Sequence, residues 1–219
     1  MKNNFDSRRR SFLKSLLALG TIITSEWLLP SYVHSSCNLT PRESSGPFYP
    51  STYPLDQDND LTYVKDKSKK AKGEIIHITG IVKNEQCEPV SNATIEIWQA
   101  CATGRYNHPR DRNPAELDPN FQYWGKAITS EQGKYRFKTI KPGSYPASFF
   151  WTRPPHIHFT VRSPKHSELT TQMYFSGEPL NDKDRLLQGH SKKEQEKFVV
   201  TFDQREQKQF GEFNLILKG

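Results

Sequence analysis

The chain has 219 residues, a length that suits one domain with a substantial core, or one domain and a tail. With 34% hydrophobic residues and a mean hydropathy of −0.80, the composition excludes a protein with many membrane spans. The 15 prolines argue against a helical bundle, and the formal net charge of +7 indicates a solvated basic surface or the steering of a small anionic substrate. No helix-turn-helix, zinc-finger or RNA-recognition motif accompanies this charge, so a nucleic-acid partner is not expected.

The N-terminus carries an export signal. Arg8-Arg9-Arg10 is followed by Ser11-Phe12-Leu13-Lys14 and then by a short apolar run that ends near residue 30. This order is typical of a signal peptide, and the paired arginines closely resemble the twin-arginine export signal. We therefore assign residues 1–36 to a signal with an approximate cleavage point. We expect a periplasmic or other extracytoplasmic protein with no stable membrane span after processing. An ordinary secretory signal, an uncleaved anchor and a lipid on Cys37 are the alternatives.

The three cysteines stand at positions 37, 87 and 101, with a spacing that matches no zinc or CxxC motif. An exported chain can form a disulfide. A bond between Cys87 and Cys101 is not expected, because a predicted hairpin puts the first in a turn and the second at the far end of the returning strand. Cys37 can pair with either one, and the sequence leaves the pairing open.

Residues 37–219 are predicted to form one all-β domain, an antiparallel β-sandwich with little helix and with long loops that frame a metal site. It begins with an N-terminal arm, residues 37–73, which is polar and rich in turns. Short segments with strand patterns, separated by turns, then follow. These segments are 74–82, 93–100, 134–140, 156–162, 170–175, 198–202 and 213–217. One helical turn is predicted at 191–196. The irregular segment 103–121 is longer than ordinary connections, and such loops are usually functional or disordered.

The strongest candidate site is a pair of histidines on one predicted strand. His156 and His158 are two residues apart, so their imidazoles face the same side, whereas Ile157 and Phe159 face the core. Two neighbouring imidazoles are a common metal-binding pair. The motif is short, and two ordinary surface histidines would give the same pattern.

Two tyrosines favour the metal interpretation. Tyr145 lies in a turn just before the histidine strand, and Tyr106 lies in the long irregular segment. A phenolate is a hard, anionic ligand that suits ferric iron. Zinc and copper sites more often use imidazole, thiolate or carboxylate. Two tyrosines beside a His-x-His strand therefore indicate a non-haem ferric site.

Several further motifs follow in chain order and cover about residues 38–218. They are Gly46–Tyr49, Glu96–Ala100, Gly104–Tyr106, Asp118–Phe121, Gly133–Phe137, Ile140–Pro146, Arg153–Phe159 and Thr171–Phe175. With these motifs the chain resembles the intradiol ring-cleavage dioxygenases, and among them the members that are like the protocatechuate 3,4-dioxygenase β subunit. The resemblance implies an Fe(3+) cofactor with the ligands Tyr106, Tyr145, His156 and His158.

The resemblance also implies a reaction. A catechol binds as a dianion, and O2 opens the ring between the two hydroxyl-bearing carbons to give a cis,cis-muconate. Tyr145 is displaced by the substrate and helps to accept a proton. Arg153 stabilises developing charge near the ring. Gln172 lines the site and hydrogen-bonds along the reaction path. For an exported enzyme, plant-derived or lignin-derived phenols are the expected source of substrate.

One departure from the family pattern leaves the substrate open. Protocatechuate enzymes typically have a tryptophan after the Tyr-Pro pair, as a wall of the pocket, whereas this chain has Ala147. Either Phe150 or Trp151 refills the wall, or the pocket is wider. The β-type chain of the family works beside an α-type partner, and a homo-oligomer is the alternative for this chain.

Two other functions compete with a ferric dioxygenase. An exported, non-catalytic β-sandwich binding module would be colourless and free of metal. A zinc hydrolase that uses the same two histidines would hold zinc and would not depend on Tyr106. The paired tyrosines count against both.

Overall fold

The computed structural model describes residues 36–54 and 56–219. The predicted signal, residues 1–36, lies almost wholly outside the described residues and stays a prediction. Within the described ranges the chain forms twelve strands and very little helix. The strands are β1 (Ile75–Asn84), β2 (Thr94–Trp98), β3 (Trp124–Ile128), β4 (Lys134–Ile140), β5 (Tyr145–Ser148), β6 (Trp151–Arg153), β7 (His156–Ser163), β8 (His166–Phe175), β9 (Val199–Val200), β10 (Phe202–Arg205), β11 (Lys208–Glu212) and β12 (Leu215–Leu217).

Two five-stranded sheets and one hairpin make up the fold. One sheet has the order β10-β11-β1-β12, with β4 also paired to β1, and the other has the order β3-β2-β7-β8-β9. Strands β5 and β6 form the separate hairpin. Most pairings are antiparallel, and β1 with β11, β1 with β12 and β8 with β9 are parallel. The predicted all-β sandwich is confirmed.

The core lies between the two large sheets. Its largest cluster combines Ile76 and Phe137 of one sheet with Ile97, Ile157 and Phe159 of the other. The ring of Phe159 contacts that of Phe137 edge-on, with centroids 6.4 Å apart. Because side chains alternate along a strand, these apolar residues leave their neighbours on β2 and β7 pointing to the outer face of the second sheet.

The predicted strands agree with the observed ones except at their ends and at two breaks. The segment 198–202 is split at Thr201, where β9 joins one sheet and β10 joins the other. The segment 213–217 is a strand only from Leu215, because Asn214 leaves the ladder and its side-chain oxygen accepts a hydrogen bond from the Ile81 amide. The predicted helical turn is α1 (Lys192–Gln195), which Ser191 begins with a capping box.

Sequence reasoning missed β3, the β5–β6 hairpin and β11. Strands β3 and β11 are short, and their tertiary partners, rather than an alternating pattern, make them strands. The hairpin has polar or exposed positions through most of β5. It is nevertheless the element that carries Tyr145 and Arg153 toward the histidine strand.

The N-terminal arm is tied to the sandwich by a disulfide. Cys37 is bonded to Cys87, across a sequence separation of 50 residues, and Cys101 is free and buried. Further along the arm, the Thr40 hydroxyl accepts a hydrogen bond from the Ile216 amide. The arm therefore starts from an anchored end. Among the described residues, no helix is long and apolar enough to cross a membrane.

Candidate active site

The candidate site lies on the outer face of the second sheet. On β7, His156 and His158 point outward, and their imidazole centroids are 5.0 Å apart. Their partners on β8 are Tyr174 and Gln172, which point to the same face. All four side chains are almost fully buried. Other parts of the chain must therefore cover this face.

His156 is held with the lone pair of one ring nitrogen directed toward Tyr106 and Arg153. Its Nδ1 lies 2.7 Å from the carbonyl oxygen of Pro154 and donates to it, so Nε2 carries the lone pair. Nε2 lies 3.4 Å from the Tyr106 hydroxyl and 3.1 Å from Nη1 of Arg153. Burial, and secondarily the Arg153 charge, hold the pKa of His156 well below its ordinary value. The imidazole is therefore neutral, as a metal ligand must be.

His158 is enclosed by an aromatic ring and by the N-terminal arm. The Trp98 side chain of β2 stacks on it, with centroids 4.8 Å apart and planes 7° from parallel. On the arm, Gly46 has a φ of +64°, and a Cβ there would lie 3.2 Å from the imidazole Cε1. Burial, followed by the nearby His156 and Arg153, lowers the pKa of His158 well below its ordinary value. This second imidazole is also neutral.

Two glycines bring the tyrosine-bearing segments together. Gly104 has a φ of +82°, and a Cβ there would lie 2.0 Å from the Ser144 carbonyl oxygen. At Gly143, a Cβ would lie 2.5 Å from the Ala102 carbonyl oxygen. Only residues without a Cβ allow this approach of the two backbones. As a result Tyr106 and Tyr145 meet edge-on, with ring centroids 5.5 Å apart.

The two phenols share a dry environment. Tyr106 is 3% exposed and Tyr145 is 5% exposed. Burial raises the pKa of Tyr106 well above its ordinary value, and burial also raises that of Tyr145. The positive charge of Arg153 opposes both increases. An anionic phenolate is therefore costly here unless a cation accompanies it.

The four predicted ligands surround one region. The centroid of Tyr145 lies 5.7 Å from that of His156, and Tyr106 lies 6.3 Å from His158. Among the described residues, no group of three or more His, Cys, Asp or Glu could hold a metal ion. A metal here would need the phenol oxygens. Two neutral imidazoles with two desolvated phenols fit a hard, highly charged cation, since such an ion would offset the cost of forming phenolates.

Arg153 belongs to a buried polar network beside this region. Its Nε donates to Asp184 Oδ2 at 2.9 Å, and its Nη2 donates to Gln172 Oε1 at 2.8 Å and to the Tyr174 hydroxyl at 2.6 Å. Gln172 also donates from Nε2 to the Ser44 carbonyl at 2.7 Å, so both ends of its amide are engaged. Sequence reasoning named Arg153 and Gln172 and missed Asp184 and Tyr174. Asp184 follows a polar 3-10 helix, Pro179–Lys183, and no nearby motif distinguishes it.

A cavity of about 530 Å³ opens onto Tyr145 and Arg153. Its lining also includes Phe48, Arg110, Arg112, Ala147, Trp151 and Leu186. Tyr145 therefore lies between the buried donors and the cavity, whereas Tyr106 does not line it. A larger cavity of about 890 Å³ lies against β1, β3 and β4 and contains none of the predicted site residues.

The fold and the site together define a β-sandwich protein with a buried tyrosine–histidine cluster at the base of an open pocket. The family model described as "Dioxygenase" matches residues 44–219. The protocatechuate 3,4-dioxygenase β chain of Burkholderia cepacia is 42% identical over 170 residues, which cover 74% of this chain and 72% of that one. The chain belongs to the intradiol ring-cleavage dioxygenases, a family of oxidoreductases that insert both atoms of O2.

More distantly related dioxygenases also match this chain. Catechol 1,2-dioxygenase of Acinetobacter baylyi is 30% identical over 156 residues, covering 65% of this chain and 48% of that enzyme. The present chain thus spans about half of that relative. Among solved structures, the dioxygenase domain of a dioxygenase and carbohydrate-binding fusion protein from Streptomyces sp. SirexAA-E superposes with a TM-score of 0.63 at 25% identity. That alignment covers 83% of this chain and 99% of the domain.

Proposed function

We propose that this protein is an exported, Fe(3+)-dependent intradiol dioxygenase that opens the ring of a substituted catechol with O2 to give a cis,cis-muconate-type product. The observation that supports this most directly is the convergence of Tyr106, Tyr145, His156 and His158 on one buried region beside the Arg153 guanidinium. These four residues would hold the iron. Bound there, ferric iron would supply a Lewis acid that takes the two catechol oxygens and makes the ring reactive toward O2.

Of the four residues that would hold the iron, Tyr145 is the one that an incoming substrate would approach. It lines the cavity, so an incoming catechol meets it first. Burial raises the pKa of its phenol, which makes the corresponding phenolate a stronger base than an exposed one. Tyr145 can thus take a proton from a catechol hydroxyl at its own oxygen as the substrate binds. Tyr106, which is enclosed, would stay in place.

Arg153 supplies a fixed positive charge next to the reacting ring. Arg153 is 2% exposed, and Asp184, Gln172 and Tyr174 fix the orientation of its guanidinium. A charge that is oriented before the reaction stabilises negative charge on the substrate without a reorganisation cost. Gln172 acts as a positioning residue in this proposal, because it joins Arg153 to the Ser44 carbonyl of the arm.

The N-terminal sequence pattern supports a location outside the cytoplasm. The twin-arginine pattern at residues 9–14 supports export of a folded, metal-loaded protein. The bond between Cys37 and Cys87 supports an oxidising destination, since disulfides persist there. It also uses the Cys37 sulfur, so we propose cleavage before Cys37 without lipidation. Recovery of the mature protein from the cytoplasm alone would contradict this location.

We also propose that the mature chain assembles with further subunits. The relative from Burkholderia cepacia is named as a β chain, which supports an α-type partner, and a homo-oligomer is the alternative. Light scattering of the purified chain distinguishes them. A stable oligomer of this chain alone with full activity supports the homo-oligomer, whereas an inactive monomer supports a missing partner.

The test of the proposed function is a metal analysis with an absorption spectrum of the mature protein, before and after anaerobic addition of catechol. A ferric dioxygenase has stoichiometric iron and a visible tyrosinate-to-iron band that shifts when catechol binds. Admission of O2 then yields a muconate. A colourless protein after ferric reconstitution would mean a binding module, and stoichiometric zinc without colour would mean a hydrolase.

A further inference from the structure

We infer that the site selects catechols whose ring carries an extended substituent that ends in a carboxylate. This inference rests on the proposed ring-cleaving function and adds the substrate class. Its basis is the pocket outside the tyrosine–histidine cluster. Three features of the pocket support the inference: its size, the wall that the hairpin forms and the charge at its mouth.

The pocket is larger than one aromatic ring needs. Its volume is about 530 Å³. Cavities of roughly 300–1,000 Å³ hold ligands of drug size, which are several times larger than a dihydroxybenzene. A bare catechol bound against Tyr145 and Arg153 would leave most of this space to water. A longer substrate would bury apolar surface in it.

The hairpin leaves this space open because the side chain that β5 contributes to the pocket wall is small. Ala147 lines the pocket from β5, and Trp151 lines it from β6. Phe149 and Phe150, at the tip, are 94% and 84% exposed and do not line the pocket. The bulk of the hairpin therefore points away from the pocket at its tip, and only Trp151 offers a large aromatic surface to a substituent.

The mouth of the pocket is positively charged. Arg110 and Arg112 line it and are exposed, and Arg185 lies over the Trp151 ring at 5.4 Å. Asp111 also lines it. The two oxygens of its carboxylate accept hydrogen bonds from the backbone amides of Tyr106 and Asn113. Within residues 36–54 and 56–219, Arg112 makes no ion pair or side-chain hydrogen bond, so its guanidinium can receive a carboxylate.

Size and charge together favour a substituent that runs from the ring along Trp151 and ends at Arg112. A neutral extension would gain the apolar contact but would not use the arginines. A carboxylate directly on the ring would lie close to the Tyr145 end of the pocket. The extended acid uses both features, and 3,4-dihydroxycinnamate is a suitable probe because two carbons separate its carboxylate from the ring.

The first experiment compares 3,4-dihydroxycinnamate with catechol on the ferric protein, for wild type, A147W and the control S148W. Ser148 is the exposed neighbour of Ala147 and does not line the pocket. We expect wild type to prefer the cinnamate in kcat/KM. A147W should lower the ratio of cinnamate to catechol by about tenfold or more, since filling a pocket typically discriminates by that amount. S148W should keep the wild-type ratio.

The second experiment tests the charge with the methyl ester of the same acid. R112Q should raise KM for the acid by about fivefold and leave the ester unaffected, which is the scale of an exposed ion pair. R205Q, which removes an exposed arginine paired with Asp203, is the charge-matched control. Equal KM values for acid and ester in wild type would overturn the assignment of the carboxylate.

Failure of this inference is distinguishable from failure of the proposed function. If catechol is cleaved but A147W and S148W share the wild-type ratio, the ring-cleaving function stands and the extended substrate is wrong. If no catechol is cleaved, calorimetric dissociation constants for the acid and catechol under nitrogen still test the pocket. Tighter binding of the acid, weakened in A147W only, would support the inference, and equal binding would overturn it.

Discussion

Asp184 and Arg153 form a buried ion pair in which Oδ2 of the carboxylate accepts a 2.9 Å hydrogen bond from Nε of the guanidinium. Asp184 is 0% exposed, and its other oxygen accepts from the Leu187 amide and the Tyr174 hydroxyl. Two charges can remain in a dry interior only when their remaining polar atoms are also satisfied. This pair meets that condition, and it holds the Nη1 atom 3.1 Å from His156.

Replacing Asp184 should therefore affect both stability and catalysis. D184A leaves the Arg153 charge buried without its partner, and we expect a loss of about 3–5 kcal/mol in the free energy of unfolding. D184N keeps the shape, so it should fold better while the guanidinium loses its fixed orientation. We expect kcat for D184N to fall by about 10–100-fold, the usual range for a residue that orients a metal site.

The control is D182N, on the preceding 3-10 helix, where the side chain is exposed. It should match wild type in denaturant melts and in turnover. KM is therefore measured together with kcat. A purely structural defect would lower the active fraction, and with it the apparent kcat, and would leave KM unchanged. If D184N turns over catechols at the wild-type rate, Asp184 has no positioning role.

The ligand assignment predicts a specific spectroscopic loss. Y106F removes one phenol oxygen from a buried ring without changing its shape, so the fold should persist. We expect weaker iron retention and loss or displacement of the visible absorption band, together with loss of ring cleavage. H156A should lose iron as well. Y63F changes a half-exposed tyrosine of the arm and should keep iron and colour. Full iron and an unchanged spectrum in Y106F would contradict the ligand set.

The close contact at Gly104 predicts that the site requires the approach of this backbone to that of Ser144. G104A adds a Cβ that would collide with the Ser144 carbonyl, so the segments bearing Tyr106 and Tyr145 must separate. The matched control is G177A, where φ is +77° but nothing lies within 4 Å of the added atom. The control measures the cost of the backbone conformation alone, about 1–2 kcal/mol.

We expect G104A to cost clearly more than G177A in chemical denaturation and to bind less ferric iron. Equal effects of the two substitutions on stability and iron content would show that the close approach at Gly104 is not needed. The comparison is informative because both residues are glycines in the left-handed region, and only one of them faces a neighbouring backbone.

The disulfide makes stability depend on redox conditions. A reductant, or the double substitution C37S/C87S, should lower the free energy of unfolding by about 2–5 kcal/mol. The reductant should have no further effect on the double variant, which is the internal control. Alkylation followed by mass analysis of the oxidised protein should modify Cys101 only after unfolding, since Cys101 is buried. If wild type melts identically with and without reductant, the bond does not contribute to stability.

The sequence by itself determined the all-β fold, the core-facing pattern of most strands and the shared face of the two histidines. Alternation along a strand is a local property, so the shared face of His156 and His158 follows from their spacing. The capping box at Ser191 is equally local. In each case the residues that determine the structure are neighbours in the chain.

Only the tertiary structure decided which distant residues complete the site. Asp184 pairs with Arg153 from 31 positions away, and Ser44 meets Gln172 across 128 positions, without a periodic pattern that links them. Strands β3 and β11 likewise depend on their partners. The width of the pocket depended on where the hairpin directs Phe150 and Trp151. Such contacts arise from burial of one chain segment against another. Local spacing in the sequence does not indicate which segments pack together.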